Sequence, residues 1–456
     1  MTTINRASPL DRFLRLFADV RAGEGGLAVL LALNVFLILT TYYILKPVRE
    51  ALILGQGSPE LKTYLSVGQV ALLSVAVPVY GRLAATLHRR ALLNVVTYFF
   101  VACLAVFYVL GQAGTSIGIA YFLWIGVFNL MIVAQFWSFA NDLYTREEGE
   151  RLFPIVGFGA SLGAVLGAII AGRLIRPLGV YQLLLVGAVL LAAQLQVTNY
   201  VDRHTSSHED APKPPSKKTA VADVPEKHTN AFMLVFRTPY LLLIALMLLL
   251  NATVDATGEY ILGSIVTDAA QDRVASGNAG GLNVEGVIGA FYSRYFALIN
   301  ITSLLLQLFV VSRIVKYLGV STAVTILPAL SLVAYNVLAF VPGIWTVLAA
   351  KVAEKGTDYS LSNTVRNMLF LPCTREEKYS AKQAIDSFFF RMGDVVSATI
   401  VFVGTSIGFT ATRFAQLNAG LAVLFLVLAV LVGRAYSGRK AMPTIAVRTE
   451  AREAIA

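Results

Sequence analysis

Charge is what this chain has least of. Of its 456 residues only 14% are Asp, Glu, Lys or Arg, while 57% are hydrophobic. Soluble domains carry about 25% charge and about 45–50% apolar residues. So little charge cannot clothe a water-facing surface of this length, which excludes a soluble multidomain enzyme and a disordered scaffold. Cysteine is nearly absent: Cys103 lies in an apolar run and Cys373 beside a charged loop. That leaves neither a disulfide framework nor a thiolate metal site. The four histidines, His88, His204, His208 and His228, fall in loops and cannot assemble a zinc site. No nucleophile–base pair or cofactor fingerprint occurs, so the expectation is a non-enzyme without a cofactor. The residues up to about Glu24 are polar and amphipathic, with no short apolar stretch leading to a small-residue cleavage site, so no cleavable signal is expected.

Long apolar runs are what the chain has instead. A helix needs about 20 apolar residues to cross a ~30 Å hydrocarbon core. Twelve such runs are present, roughly 26–46, 64–87, 91–111, 118–140, 152–174, 180–200, 238–262, 288–312, 321–341, 344–371, 383–407 and 411–434. The fold class is therefore all-α integral membrane. A polar stretch carrying Pro212, Pro214, Pro215, Lys217, Lys218 and Lys227 divides the runs six and six. The expected organisation is an N-terminal segment (1–24), a six-helix half (25–201), a linker (202–230), a second six-helix half (231–436) and a tail (437–456).

The net charge of +10 has no basic domain or interleaved aromatic platform behind it, so no nucleic-acid partner is expected. It falls instead on one set of loops: Arg6, Arg12, Arg15 and Arg21; Arg82, Arg89 and Arg90; Arg146 and Arg151; the linker; Arg313 and Lys316; Arg375 and Lys378; Arg434, Arg439 and Lys440. The alternate loops, such as Gln112–Ser116, are nearly bare. The positive-inside rule then places both termini and the linker in the cytoplasm, across a bacterial-type inner membrane. An internal repeat supports two halves. Thr145-Arg146-Glu147-Glu148 follows the fourth span and Thr374-Arg375-Glu376-Glu377 the tenth; Gly81-Arg82-Leu83 recurs loosely as Ser312-Arg313-Ile314, and Ile53-Leu54-Gly55 as Ile261-Leu262-Gly263. Parallel halves of this kind are one transporter architecture, with the substrate held between them near mid-membrane.

Charged groups inside spans are functional candidates, because each costs about 2.5–3.5 kcal/mol to insert at a helix centre. The tenth span carries Lys351, Glu354, Lys355 and Asp358 at i, i+3, i+4 and i+7, one helical face, with Arg366 further along. That face is either a self-neutralised seam of two salt bridges or the lining of an anion-handling cavity. The first span ends with Lys46, Pro47, Arg49 and Glu50. Pro47 should kink or break that helix, leaving the charges at the external rim or aimed into a cavity. The seventh span mirrors it with Asn251, Asp255 and Glu259 at four-residue steps. Lys382, Asp386, Arg391 and Asp394 on the eleventh span share no clean face, and Arg294 on the eighth reads as an interfacial anchor. On the fifth span, Gly159, Gly163 and Gly167 at four-residue steps predict close helix packing rather than a phosphate loop.

Two resemblances rest on these residues. Gly81-Arg82-Leu83-Ala84 with His88-Arg89-Arg90 is similar to the loop motif of the major facilitator superfamily, with Ala85 where that motif has an acid. Over most of its length the chain resembles the ATP/ADP antiporter family, through Tyr43-Ile44-Leu45-Lys46-Pro47-Val48-Arg49-Glu50, Phe136-Trp137-Ser138-Phe139-Ala140-Asn141-Asp142, Phe153 to Ala160, Asp358-Tyr359-Ser360-Leu361, Arg366-Asn367-Met368 and Ala381-Lys382-Gln383-Ala384-Ile385-Asp386. The resemblance implies a major facilitator-type fold and, for nucleotide handling, Lys46, Arg49, Asp255, Arg366 and Lys382. Three positions depart from the family. Gly393-Asp394-Val395-Val396 stands in place of Gly-Lys-Ser-Gly-Gly, Ile125 lies near an expected intramembrane glutamate, and Arg366-Asn367 replaces Lys-Glu.

The expectation that results is an alternating-access secondary transporter of a small anionic or zwitterionic solute, nucleotide being one option. Its substrate-binding set would be Lys46, Arg49, Glu50, Asp255, Glu259, Lys351, Lys355, Asp358, Arg366 and Lys382, with protons as the coupling ion and the lipid bilayer as its other partner. A carrier of a lipid-like or other organic anion, and a non-transporting membrane sensor or assembly protein, are the alternatives.

Overall fold

The structure, a computed structural model, describes residues 8–15, 18–206, 231–374, 377 and 381–453; among these there is helix, turn and connection but no strand. Arg6, His208, His228, Arg375, Lys378 and most of the linker lie outside the described residues, as do the side chains of Arg146 and Lys440. The long helices are α2 (Gly25–Gln56), α3 (Pro59–Thr86), α4 (Arg89–Gln112), α5 (Gly118–Leu143), α6 (Arg146–Leu178) and α7 (Gln182–Ser206), preceded by the short α1 (Pro9–Leu14). After a second short helix, α8 (Ala231–Arg237), come α9 (Pro239–Ala275), α10 (Val284–Phe309) and α11 (Val311–Phe340). They are followed by α12 (Ile344–Thr357), α13 (Asn363–Leu369), a single turn α14 (Lys382–Ala384), α15 (Phe390–Ser406) and α16 (Ala411–Glu453).

Among the described residues ten helices are long and apolar enough to cross a membrane, which makes this a multi-span membrane protein. The other two of the twelve expected spans are α10 and the run from α12 to α13. The first carries the polar residues Arg294 and Asn300; the second is broken into the 14-residue α12 and the 7-residue α13, with Lys351, Glu354, Lys355 and Asp358 on α12 and the turn after it. The α-helix of the tenth span gives way to a wider π-type turn at Asp358–Ser362, and the eleventh does the same at Ile385–Phe389. Such turns are frequent at functional sites. Pro47 does not break its helix: α2 runs unbroken for 32 residues. Instead α11 breaks at Gly319, just before the ninth span, where φ is +73°, a value that favours glycine.

The chain divides into two compact units. One comprises Met1–Gly57, Gly68–Val224 and Ala270–Ala297; the other comprises Ser58–Val67, Pro225–Ala269 and Leu298–Ala456. In the first, α2 lies against α6 along the predicted glycine ladder. A methyl group on Gly159, Gly163 or Gly167 would fall 2.5, 2.4 and 2.5 Å from the carbonyl oxygens of Ala32, Phe36 and Thr40, distances no real Cβ adopts. Gly157 faces open space and takes no part. Backbones this close gain dispersion contacts that lipid tails cannot supply. Thr40 Oγ1 also donates to the Gly163 carbonyl at 3.4 Å.

The second unit repeats this device between α9 and α15. A methyl on Gly393 would lie 2.6 Å from the Leu249 carbonyl oxygen. Thr253 Oγ1 donates to the Gly393 carbonyl, again at 3.4 Å. The four-residue sequence repeat also has a physical meaning. Thr145 N donates to Glu148 at 2.8 Å while Glu148 N donates to Thr145 Oγ1 at 3.4 Å, a capping box that starts α6. Thr374 and Glu377 exchange the same pair of bonds at 2.9 and 3.3 Å.

Candidate functional site

In the first unit the expected site residues sit near the end of α2. Lys46 Nζ lies 4.2 Å from the centroid of the Phe296 ring, 5.3 Å from Tyr43 and 5.7 Å from Tyr42. All three are within cation–π range, and the contact holds the ammonium against a ring cluster rather than in water. Arg49 pairs with Glu50, whose side chain is 1% exposed, and stacks 5.2 Å from Phe122. Tyr121 OH donates to the Leu45 carbonyl oxygen at 3.2 Å, bracing the same turn. Glu50 is buried and Arg49 only 18% exposed, which argues against a rim where they would snorkel to water.

The second unit gathers a larger set. Asp255 on α9 accepts from two lysines of α12, with Lys351 Nζ 3.1 Å from Oδ1 and Lys355 Nζ 2.6 Å from Oδ2. Lys351, 1% exposed, also donates to Glu354 at 2.7 Å and lies 3.9 Å from Glu259. Glu259 in turn reaches Lys62 at the start of α3, 3.6 Å away. Two residues above that, Glu60 accepts from Tyr260 OH at 2.8 Å. The helical face read from the sequence is thus real for Lys351, Glu354 and Lys355. It loosens at Asp358, where the π-type turn begins, and Asp358 keeps a long 3.5 Å contact from the Asn251 side chain.

Arg366 and Lys382 stand apart from that network. Arg366 donates to the Asn363 side chain at 3.2 Å and Lys382 to the Asn367 side chain at 2.9 Å. Arg391 and Asp394 pair with each other on one helix at 3.4 Å, and Arg294 is exposed. Sequence reading did not single out Lys62, nor three further residues of the cluster, Ser331, Tyr335 and Gly258. Ser331 Oγ and Tyr335 OH, both on α11, each donate to Glu354 at 2.9 Å. Gly258 on α9 leaves the notch they fill, since a methyl there would sit 1.9 Å from the Tyr335 hydroxyl and 3.0 Å from Lys351 Nζ. The available signal was the four-residue spacing of Ser331 and Tyr335 within an otherwise apolar span.

Among the described residues no group of three His, Cys, Asp or Glu side chains is placed to hold a metal ion. What the second unit offers is a set of cations and carboxylates that balance each other inside a span. Lys62, Lys351 and Lys355 face Asp255, Glu259 and Glu354, three charges of each sign. Such an arrangement can release a cation toward an entering anion by passing a carboxylate to a neighbour.

The fold is of the major facilitator type, shared with solved transporters. The chain superposes on a bacterial homologue of the iron transporter ferroportin in an inward-facing state with TM-score 0.62 at 15% identity, covering 90% of this chain and 98% of that one. For a peptide transporter, POT, in complex with sulfate the values are 0.61, 14%, 95% and 99%. For a point mutant of the nucleoside transporter NupG they are 0.60, 12%, 91% and 99%. No family model matches the chain. Among curated proteins it is 22% identical to ADP,ATP carrier protein 1 of Chlamydia pneumoniae over 354 residues, 69% of this chain and 66% of that protein. With ADP,ATP carrier protein 1 of Chlamydia trachomatis the match, also 22%, spans 63% of this chain and 56% of the carrier. The chain therefore spans under two thirds of these chlamydial relatives. With ADP,ATP carrier protein 1 of Rickettsia bellii the 22% identity extends over 94% of this chain and 96% of that one.

Proposed function

We propose that the protein is an alternating-access secondary transporter of a small anionic or zwitterionic solute, with a nucleotide as the first candidate. One observation carries this reading: a single carboxylate, Asp255, holds two lysines at once, Lys351 buried and Lys355 partly exposed. A carrier for anions needs cations in its site and must neutralise them when the site is empty, because an unpaired charge inside a span is costly. Lys351 and Lys355 are the cations of the site, Asp255 is the counter-ion that the solute displaces, and Lys46 and Arg49 are a second cationic group. The similarity to ADP,ATP carriers supports a nucleotide.

Charge balance adds a constraint. The network is neutral with every group ionised, so an anion entering alone leaves an uncompensated charge in the span. A zwitterion, or a singly charged anion taken up with a proton on Asp255 or Glu259, leaves none; a nucleotide, with several negative charges, needs further cations as well. Proton coupling is accordingly part of the proposal, together with an inner-membrane location and cytoplasmic termini, which the loop charges support. The six-helix halves 25–201 and 231–436 are the bodies proposed to rock.

The test is uptake of labelled ATP into proteoliposomes containing the full chain, with and without internal ADP and with and without an imposed pH gradient. Uptake that requires internal ADP or rises with the gradient supports the reading. Uptake indifferent to the gradient removes the proton. A parallel thermal-shift screen with nucleotides, phosphorylated metabolites, amino acids and lysolipids separates the nucleotide from the lipid-like alternative. Stabilisation by lysolipids alone overturns the nucleotide assignment.

A further inference from the structure

The two lysines of the network are held very differently. Lys351 is 1% exposed and touches two carboxylates at hydrogen-bond distance, Glu354 at 2.7 Å and Asp255 at 3.1 Å, with Glu259 at 3.9 Å. Among the described residues, Lys355 has one carboxylate in ion-pair range, Asp255 at 2.6 Å, and its side chain is 13% exposed. The carboxylates differ in the same sense. Glu354 is 6% exposed and Asp255 25%. Both Glu354 oxygens are engaged, Oε1 by Ser331 and Oε2 by Tyr335 and Lys351. Ser331 and Tyr335 are themselves buried, one turn apart on α11, with their hydroxyls converging on this one group.

A carboxylate with every oxygen satisfied and little access to water is expensive to move, since each broken bond leaves a buried polar atom unpaired. A carboxylate a quarter exposed and shared between two ammonium groups is not. Gly258 makes the arrangement possible, because any side chain on that face of α9 would push the Tyr335 hydroxyl off Glu354.

We propose that Ser331, Tyr335 and Gly258 are positioning residues: acting through Glu354 they fix Lys351 in place, so that Lys355–Asp255 is the pair that opens to a substrate anion. On solute entry Asp255 releases Lys355 and stays with Lys351, which Glu354 has kept at the same spot. Lys355 is then the residue that reads the negative charge of the solute, while Lys351 is a fixed post that catches the displaced carboxylate. No bond other than hydrogen bonds and ion pairs is made or broken. The assignment rests on the transporter reading above.

The experiment has an arm that needs no substrate. In the full-length protein in detergent, Lys351→Gln and Glu354→Gln are each expected to lower Tm by about 10 °C, and Lys355→Gln by less than about 3 °C. The double variant Lys351→Gln, Glu354→Gln should recover most of the loss, because it removes both members of the fixed pair. Equal destabilisation by Lys351→Gln and Lys355→Gln overturns the asymmetry, whether or not the protein transports anything.

The second arm uses labelled ATP uptake in proteoliposomes. Tyr335→Phe and Gly258→Ala should raise KM three- to tenfold and leave Vmax per folded molecule within twofold. A merely structural role would cut Vmax through lost protein and leave KM alone, and that result overturns the positioning role. Ser331→Thr, which keeps the hydroxyl, should retain a near-wild-type KM, whereas Ser331→Ala should not. If the wild type transports no ATP while the Tm asymmetry holds, the substrate assignment fails and the fixed and mobile pairs stand.

Discussion

Beside the Arg49–Glu50 pair the first unit buries a cluster of amides and hydroxyls, whereas the second buries a larger set of ions. Between α2 and α7, Gln194 Nε2 donates to Asn34 Oδ1 and to Thr198 Oγ1, both at 2.8 Å, and Asn34 Nδ2 donates to Thr198 at 2.6 Å. With Thr97 and Gln135 these residues line a small pocket of about 10 Å³ between α2, α4, α5 and α7. The second unit has a pocket of the same size in the corresponding place, between α9, α11, α13 and α16 and lined by Asn251, Ser362 and Arg366 among apolar residues. Each is only large enough for about one water molecule. Arg366 thus stands on the tenth span much as Gln135 stands on the fourth, with a cation in place of an amide. Glycine contacts, threonine-to-glycine bonds and capping boxes are common to both units. The fold needs these shared parts, and the ions of the second unit lie outside that requirement. Charges that the fold does not need are where function is to be sought.

The sharpest way to break this comparison is to unbalance the ionic centre. Lys351→Met leaves Glu354 and Asp255 short of a buried counter-ion and should cost about 3–5 kcal/mol, seen as a fall in Tm. A loss no larger than that of a surface substitution would mean the cluster is solvated. Next in size is packing. Gly163→Ala should cost about 1–3 kcal/mol, since its methyl meets the Phe36 carbonyl oxygen at 2.4 Å. Gly157→Ala, with nothing within 4 Å, should be neutral or stabilising by up to about 1 kcal/mol. Equal effects at the two sites would dissolve the close-packed ladder. The neutral centre should tolerate more than the ionic one. Gln194→Leu is expected to cost about 1–3 kcal/mol through the unpaired Asn34 and Thr198 atoms, with the KM for ATP unchanged. A raised KM there would spread the substrate site into the first unit's amides.

The smallest effects come from the loop corners, where carboxylates are clasped by arginines. Glu24, beside α6, is held below its ordinary value of 4.5 first by its hydrogen bonds from Arg151, at 2.8 and 2.9 Å. Glu377 is likewise held low: burial opposes its ionisation, but the Arg439 guanidinium, at 3.1 and 3.3 Å, outweighs that. A carboxyl depressed on folding contributes stability above its unfolded value and loses it as the pH falls through the folded one. Tm should therefore drop on acidification below about pH 4.5, and Arg151→Met should flatten that drop. An unchanged acid limb in Arg151→Met would remove the clasp.

Much of this was legible in the residues. Apolar runs gave the spans, and four-residue steps gave the glycine ladder and the face of Lys351, Glu354 and Lys355. These are periodicities of single helices, which a sequence displays directly. What stayed hidden depended on which helices meet. Tyr335 and Ser331 look like ordinary polar residues of an apolar span until α11 is set beside α12, and Gly258 has no meaning without the hydroxyl that fills its notch. Lys62 sits outside the apolar run of α3 and joins the network only because that helix begins against α9. Pro47 misled for a related reason: a proline interrupts one backbone bond, and the packed surroundings of α2 hold the helix through it.

The most direct test of the anion-carrier account is the thermal shift that ATP produces in the wild type and in Lys355→Gln. The account predicts that ATP raises Tm in the wild type in proportion to the logarithm of its concentration above Kd, and that Lys355→Gln, folded with nearly the same starting Tm, loses that response. An equal response in the two proteins would contradict it.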